Sequence, residues 1–108
     1  MNFRDNINKI HYNISNSFNK VSINEKSSIE YGNYIELSIN ESGKDLITII
    51  KKSDLESNEF NWLYKSNPYD KNTTLIERKS SVDNFINDVK DIFEKNRFDS
   101  DYIKNIKQ

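Results

Sequence analysis

The stretch from Ile35 to Ile50 restricts the fold more than any other part of the sequence, because its apolar residues follow the two-residue period of β-strands. Ile35, Leu37 and Ile39 are separated by single residues, as in a strand with one buried face. A polar segment follows, and its Gly43 can take the left-handed backbone conformation that closes a short hairpin with a bulge. These features predict two antiparallel strands joined by a tight turn.

The returning strand, residues 45–52, is predicted to lie at the centre of a sheet. Apolar side chains lie on both faces of this strand. They are Leu46, Ile47, Ile49 and Ile50. Such a strand needs cover from more than one layer. Residues 28–32 are predicted to begin the strand that precedes the hairpin, with Gly32 marking a bulge or bend.

Two further strands are predicted in the second half of the chain. Residues 60–65 carry aromatic side chains at alternate positions, which is typical of a strand. Residues 67–72 contain the one proline of the chain and predict a turn, and residues 73–79 form the fourth strand. Because the links between consecutive strands are short, the four strands are expected to pair as an antiparallel meander.

Amphipathic helices are predicted on both sides of the strands. Residues 2–20 carry apolar side chains at three- and four-residue steps, namely Phe3, Ile7, Ile10, Ile14 and Phe18, with Val21 continuing the spacing. Residues 80–97 repeat this pattern with Val82, Phe85, Ile86, Val89, Ile92 and Phe93. Ser80 followed by Asp83 resembles a capping box at the start of the second helix.

After residue 98, a last short helix is predicted, with Tyr102, Ile103 and Ile106 on one face. The predicted fold is therefore α+β, in the order α-β-β-β-β-α-α. It has a four-stranded antiparallel meander with the helices over one sheet face, in a single domain spanning residues 1–108.

The charge balance disfavours several classes of function. The chain is 34% hydrophobic and 31% charged, but its net charge is only -1. Low hydrophobicity leads to disorder mainly when the net charge is high, so we expect a packed domain. Strongly basic nucleic-acid binders and strongly acidic DNA mimics both need a dominant field of one sign, which this composition does not supply.

The amino-acid usage indicates an AT-rich genome. The chain has no alanine, two glycines and one proline, whereas asparagine, isoleucine and lysine are abundant. The depleted residues have GC-rich codons and the abundant ones have AT-rich codons. A low-GC bacterium, a phage or another mobile element would produce such a sequence.

The sequence predicts a cytoplasmic protein, in the host cell if it is encoded by a phage. There is no cysteine, so a disulfide framework and a thiolate metal site are excluded. The N-terminus lacks the apolar core of a signal peptide, and no apolar run approaches the length of a membrane span.

The most enzyme-like pattern is Asp70 followed by Glu77 and Lys79, the residue types of some metal-dependent nucleases. In a chain with 17 acidic and 16 basic residues, the pattern arises easily by chance. A solvated edge strand with alternating charge is the favoured interpretation. His11 is the only histidine, and neither glycine lies in a phosphate-binding loop. We therefore predict no catalytic site, metal or cofactor.

Phe60, Trp62 and Tyr64 allow two interpretations. If their face of the strand meets the helices, they belong to the core, which is the favoured alternative. If that face is exposed, they form an aromatic platform beside basic residues, able to stack bases or to anchor a partner protein. The basic residues concerned are Lys51, Lys52, Lys65, Arg78 and Lys79.

A protein interface on the open face of the sheet is the leading functional hypothesis. The central strand is apolar on both sides while the helices cover one, so apolar surface is left over. Such a patch is typical of contacts with another protein or with a second copy of the chain. The alternative is that the terminal segment, with Tyr102, Ile103 and Ile106, folds back and covers it. The candidate binding residues are Tyr31, Tyr34, Trp62, Tyr64, Lys65, Tyr69 and Arg78.

The sequence thus predicts a small non-enzymatic protein that binds another protein. Its most concrete version is an inhibitor or antagonist from a phage or mobile element, of anti-defence or immunity type. A nucleic-acid-binding module is the first alternative, and a metal-dependent nuclease is the second.

Overall fold

A computed structural model describes residues 3–65, 69, 72 and 74–95 of the chain. These residues form helix α1 (Phe3–Ser17), strands β1 (Lys20–Ser28), β2 (Gly32–Glu41) and β3 (Lys44–Lys51), a 3-10 helix (Lys52–Glu56), strands β4 (Glu59–Lys65) and β5 (Leu75–Ser81), and helix α2 (Phe85–Glu94). The strands form one antiparallel sheet in the order β1-β2-β3-β4-β5. The predicted α+β meander is confirmed, with β3 at its centre.

The described sheet has five strands rather than the four that were predicted, because β1 was not recognised. Val21 continues the helical spacing of α1, so the pattern predicted a helix to residue 20, whereas α1 ends at Ser17. Residues 28–32 do not begin a strand. Ser28 ends β1, and its hydroxyl accepts a hydrogen bond from the backbone N–H of Tyr31 at 3.0 Å within the turn. Gly32, with φ of 65°, then opens β2.

The hairpin between β2 and β3 is confirmed, but it contains no bulge. Ser42 and Gly43 form a two-residue loop in which both residues have positive φ angles, 54° and 79°. Two consecutive left-handed residues are the requirement of a type I′ turn, whose twist matches that of the flanking strands. The ladder therefore starts directly with Glu41 opposite Lys44.

One face of the sheet, called the inner face below, is buried. A row of side chains crosses all five strands on this face, with Ile23, Leu37, Thr48, Tyr64 and Ile76 lying opposite one another in turn. Alternation along each strand places every second residue on the same side as this row. The inner face is the one that both helices cover.

The core joins the inner face to every described helix. Helix α1 contributes Ile7, Ile10 and Ile14, helix α2 contributes Phe85, Val89, Ile92 and Phe93, and the 3-10 helix contributes Leu55. Asn6 of α1 is also fully buried, and its side-chain Nδ2 donates to the backbone oxygens of Leu55 at 2.5 Å and Ser57 at 3.2 Å. This amide attaches α1 to the connection between β3 and β4.

The predicted start of the second helix is wrong. Ser80 belongs to β5, and α2 begins only at Phe85. The backbone N–H of Asn84 donates to the Ser81 hydroxyl at 3.1 Å, whereas Asp83 forms an ion pair with Lys9 of α1. The hydroxyl of Ser80 is used for contacts across the sheet and is not available as a cap. The predicted terminal helix and most of the predicted 67–72 turn lie outside the described residues.

Ile10 and Tyr12 test how α1 is attached to the sheet. Ile10 is 1% exposed and Tyr12 is 70% exposed on the same helix. Ile10→Ala leaves a cavity in the core and should lower the free energy of unfolding by about 2–4 kcal/mol. Tyr12→Ala should change it by less than about 0.5 kcal/mol. Urea denaturation monitored by circular dichroism compares the two variants, and equal losses would contradict this packing.

Candidate functional site

The opposite face of the sheet, called the outer face below, is the candidate functional site. Its residues are those that alternate with the buried inner set. In β2 and β3 they include Tyr34, Glu36, Ile47, Ile49 and Lys51, and in β4 and β5 they include Leu63, Lys65, Leu75, Glu77 and Lys79. None of the described helices packs on this face, because their buried residues all belong to the inner cluster.

Apolar side chains occupy the middle of the outer face. Ile49 lies opposite Leu63 in neighbouring strands and is 6% exposed, although it is not part of the main core. Ile47, Leu63 and Leu75 are half-buried. Ile47, Leu63 and Leu75 therefore keep part of their surface exposed on this face. The central strand is therefore apolar on both faces, as its sequence predicted.

Charged residues of both signs surround the apolar centre. Lys26 donates to Glu36 at 3.1 Å, and this hydrogen bond raises the pKa of Lys26. By contrast, Lys51, Lys65 and Lys79 form no ion pair with any residue that the structure describes. These three ammonium groups can meet carboxylates on another molecule.

A groove of about 490 Å³ lies at one end of the outer face. Ile47 lines it together with Tyr69, which is 64% exposed. The Tyr69 hydroxyl donates to Asp45 Oδ2 at 2.6 Å, and Asn40 Nδ2 donates to Asp45 Oδ1 at 2.6 Å. Ser38 adds a hydroxyl group to the lining. The groove thus combines an apolar side chain with an ordered polar rim.

Tyr31 and Tyr34 lie at the opposite end of the face. Their rings meet edge to face with centroids 5.5 Å apart. Burial raises the pKa of the Tyr31 phenol, and its hydrogen bond to Glu30 adds to the effect. Tyr34 lies opposite Lys51 in the ladder, so an aromatic ring and an ammonium group are neighbours here.

Trp62 and Tyr64 are in the core, with 1% and 3% of their surface exposed. The Trp62 ring packs edge to face on Phe85 with centroids 4.9 Å apart, and its Nε1 donates to the hydroxyl of Ser80 at 2.8 Å. The core alternative is therefore the one that the structure shows. Neither ring is available from solvent, so the less favoured alternative of an aromatic platform is wrong and these two residues leave the candidate site.

Arg78 also lies on the inner face and does not contribute to the outer surface. Its guanidinium contacts Asp88 and Asp91 of α2, each at 3.3 Å. Asp88 additionally accepts a hydrogen bond from Ser80, and Lys95 contacts Asp91 at 3.1 Å. Arg78 therefore fastens α2 to β5. The sequence did contain a signal for this role. The two aspartates are three residues apart and so share a helix face, and the two-residue period of β5 places Arg78 on the inner face of the sheet.

The enzyme-like residues are not brought together in the described part of the chain. Asp70 lies outside it, while Glu77 and Lys79 are exposed on β5. His11 is exposed on α1. Within residues 3–65, 69, 72 and 74–95, no group of three or more His, Asp or Glu side chains is placed to hold a metal ion.

Comparisons of this chain with protein-family models, with curated proteins and with solved structures found no match. Among the helices that the structure describes, none is both long and apolar enough to cross a membrane.

Arg78 and Lys79 are adjacent basic residues that should respond differently to loss of charge. Arg78→Met leaves the partly buried Asp88 carboxylate without its cation and leaves Asp91 with Lys95 alone, so the free energy of unfolding should fall by about 1–3 kcal/mol. Lys79→Met removes an exposed charge that has no described ion-pair partner and should change it by less than about 0.5 kcal/mol. Thermal or urea unfolding measures both. A neutral Arg78→Met would show that the ion pairs do not hold α2.

Proposed function

We propose that this chain is a non-enzymatic protein that acts by binding another protein through the outer face of its sheet. The observation that supports this most directly is the apolar centre formed by Ile47, Ile49, Leu63 and Leu75 on a face that no described helix covers. Exposed apolar patches on a folded domain are typical of interaction surfaces.

The energetics favour a partner that is itself apolar at its centre. Burying apolar surface contributes roughly 25 cal/mol per Å², so removing the half-exposed side chains from water would stabilise a complex. Tyr34 supplies an aromatic ring with a polar end, a combination that is frequent where binding energy is concentrated. Ile49 and Leu63 pair across β3 and β4, which holds these side chains in place before binding and lowers the entropy cost of association.

The charges suggest the chemistry of the partner's rim. Lys51, Lys65 and Lys79 are free of described ion pairs, and Glu77 lies exposed among them. A partner with an apolar centre and several carboxylates at its edge would match this arrangement. A nucleic-acid backbone would meet Glu36 and Glu77 as well as the lysines, so its charge is matched less well.

The more specific version, an inhibitor or antagonist from a phage or mobile element, rests on the AT-rich coding bias and on the small size of the chain. An open sheet face is compatible with such a role. An inhibitor can block its target by surface complementarity alone and needs no catalytic residues. A rigid sheet can supply such a surface.

Capture from the source cell, followed by titration with the purified partner, tests the proposal. A tagged chain should retain one protein in stoichiometric amount. Leu63→Ser and Leu75→Ser should each weaken the affinity by about tenfold or more, since interface anchors contribute about 1–4 kcal/mol. Tyr12→Ser and Ile29→Ser remove equally large side chains that are exposed elsewhere and should leave the affinity unchanged.

Two outcomes would contradict the proposal. One is the absence of a stoichiometric protein partner together with retention of labelled RNA or DNA at moderate salt. The other is a partner that the outer-face variants and the control variants bind equally well.

A further inference from the structure

Strand β1 forms an edge of the sheet, and in the described part of the chain nothing pairs with its second side. It is nine residues long and matches β2 residue by residue, from Lys20 opposite Asn40 to Ser28 opposite Gly32. In an antiparallel edge strand, alternate backbone N–H and C=O groups point away from the neighbour. They are available to an additional strand.

The two halves of β1 differ in how well they resist such pairing. In the second half, Glu25 lies on the inner side and contacts Lys52 at 2.8 Å and Arg4 at 3.9 Å. An inward-pointing charge on an edge strand discourages an incoming strand. In the first half, Val21 and Ile23 are half-buried on the inner side, and Lys20 is the only charge.

The opposite edge of the sheet is better protected. Strand β5 carries three consecutive charged residues, Glu77, Arg78 and Lys79. Arg78 is held inward by its ion pairs with α2. Charges at successive positions are a common device against edge-to-edge association. Residues 20–24 of β1 are therefore the less protected of the two edges.

We propose that two copies of this chain pair antiparallel through residues 20–24 of β1, with the two-fold axis at Ser22. In this register Val21 lies opposite the partner's Ile23, and Lys20 lies opposite the partner's Asn24. Ser22 lies opposite the partner's Ser22. Apolar residues meet apolar residues on the inner side, polar residues meet on the outer side, and no like charges are directly opposed.

Neighbouring registers lack this complementarity. An axis at Ile23 places Lys20 opposite the partner's Lys26, and Val21 opposite the partner's Glu25. An axis at Asn24 places Ile23 opposite the partner's Glu25. Since both of these shifts oppose like charges or an apolar residue and a carboxylate, the register at Ser22 is favoured over them.

The surroundings of the edge leave room for an additional strand. A cleft of about 270 Å³ opens between α1 and β1, with Arg4, Asn8 and His11 on the helix side and Ile23 among its apolar lining. Side chains of an incoming strand that point to the inner side lie beside this cleft. Pairing here leaves the outer side chains of β4 and β5 uncovered. The groove beside Tyr69 borders the paired edge, because Lys20, Val21 and Ser22 also line it.

Disulfide cross-linking tests both the pairing and its register, because the chain contains no cysteine. In the proposed dimer the two Ser22 Cα atoms are about 5 Å apart, which suits a disulfide. Ser22→Cys should therefore form a covalent dimer under mild oxidation. Asn24→Cys is equally exposed, but its two copies are about 14 Å apart and should link about tenfold more slowly.

Sedimentation equilibrium of the full chain measures dimer formation without an introduced cysteine. The mass should rise from 12.8 kDa towards twice that value as the concentration approaches about 1 mM, since five residue pairs form a weak interface. Ser22→Lys opposes two ammonium groups at the axis and should abolish this rise. Asn33→Lys adds the same charge at an exposed position outside β1 and should not.

Three results would overturn the proposal. They are a wild-type chain that stays monomeric at all concentrations, equal cross-linking rates for Ser22→Cys and Asn24→Cys, or a dimer that Ser22→Lys leaves intact. The last result would point to association through the outer face. If the dimer is not found but the chain still captures a partner protein, only the dimer proposal fails and the proposed function is unaffected.

Discussion

The packing of the inner sheet face against α1 and α2 is the interaction on which the other features of this molecule depend. The row from Ile23 through Thr48 to Ile76 gives every strand a residue that is at least partly buried, and the apolar stripes of both helices cover this row. Because the described helices have no second apolar stripe, none of them covers the outer face. The arrangement of the core thus determines where a binding surface is available.

A connected set of polar contacts fixes α2 on this core. Trp62 donates to Ser80, Ser80 donates to Asp88, and Arg78 contacts both Asp88 and Asp91. Each of these groups has a partner, so polar atoms are brought between sheet and helix without an unsatisfied donor. The contacts also align β4 with β5, whose opposite sides carry Leu63 and Leu75. A structural network on one face thereby orders the apolar residues on the other.

Periodicity predicted most of the fold, and the exceptions have physical causes. The strand pair around Gly43 and both helices were readable because the spacing of their apolar residues matches only one kind of element. Strand β1 was missed because Val21 fits the helical spacing of α1 and Ile23 is the only other apolar residue of the strand. Ser80 was predicted to be a helix cap, but it bonds to Trp62, a tertiary contact that local spacing does not reveal. The central strand was predicted to be apolar on both sides, whereas nothing in the sequence identifies a molecule that would bind to the outer side.

Solvent exposure of methyl groups on the two sheet faces tests the central claim, that the described helices cover only the inner face. A soluble paramagnetic agent broadens the NMR signals of methyl groups that it can approach. The structure predicts marked broadening for Ile47, Leu63 and Leu75 on the outer face, and little for Leu37, Leu46 and Ile50 on the inner face, which are fully buried. Equal protection of both sets would contradict the claim.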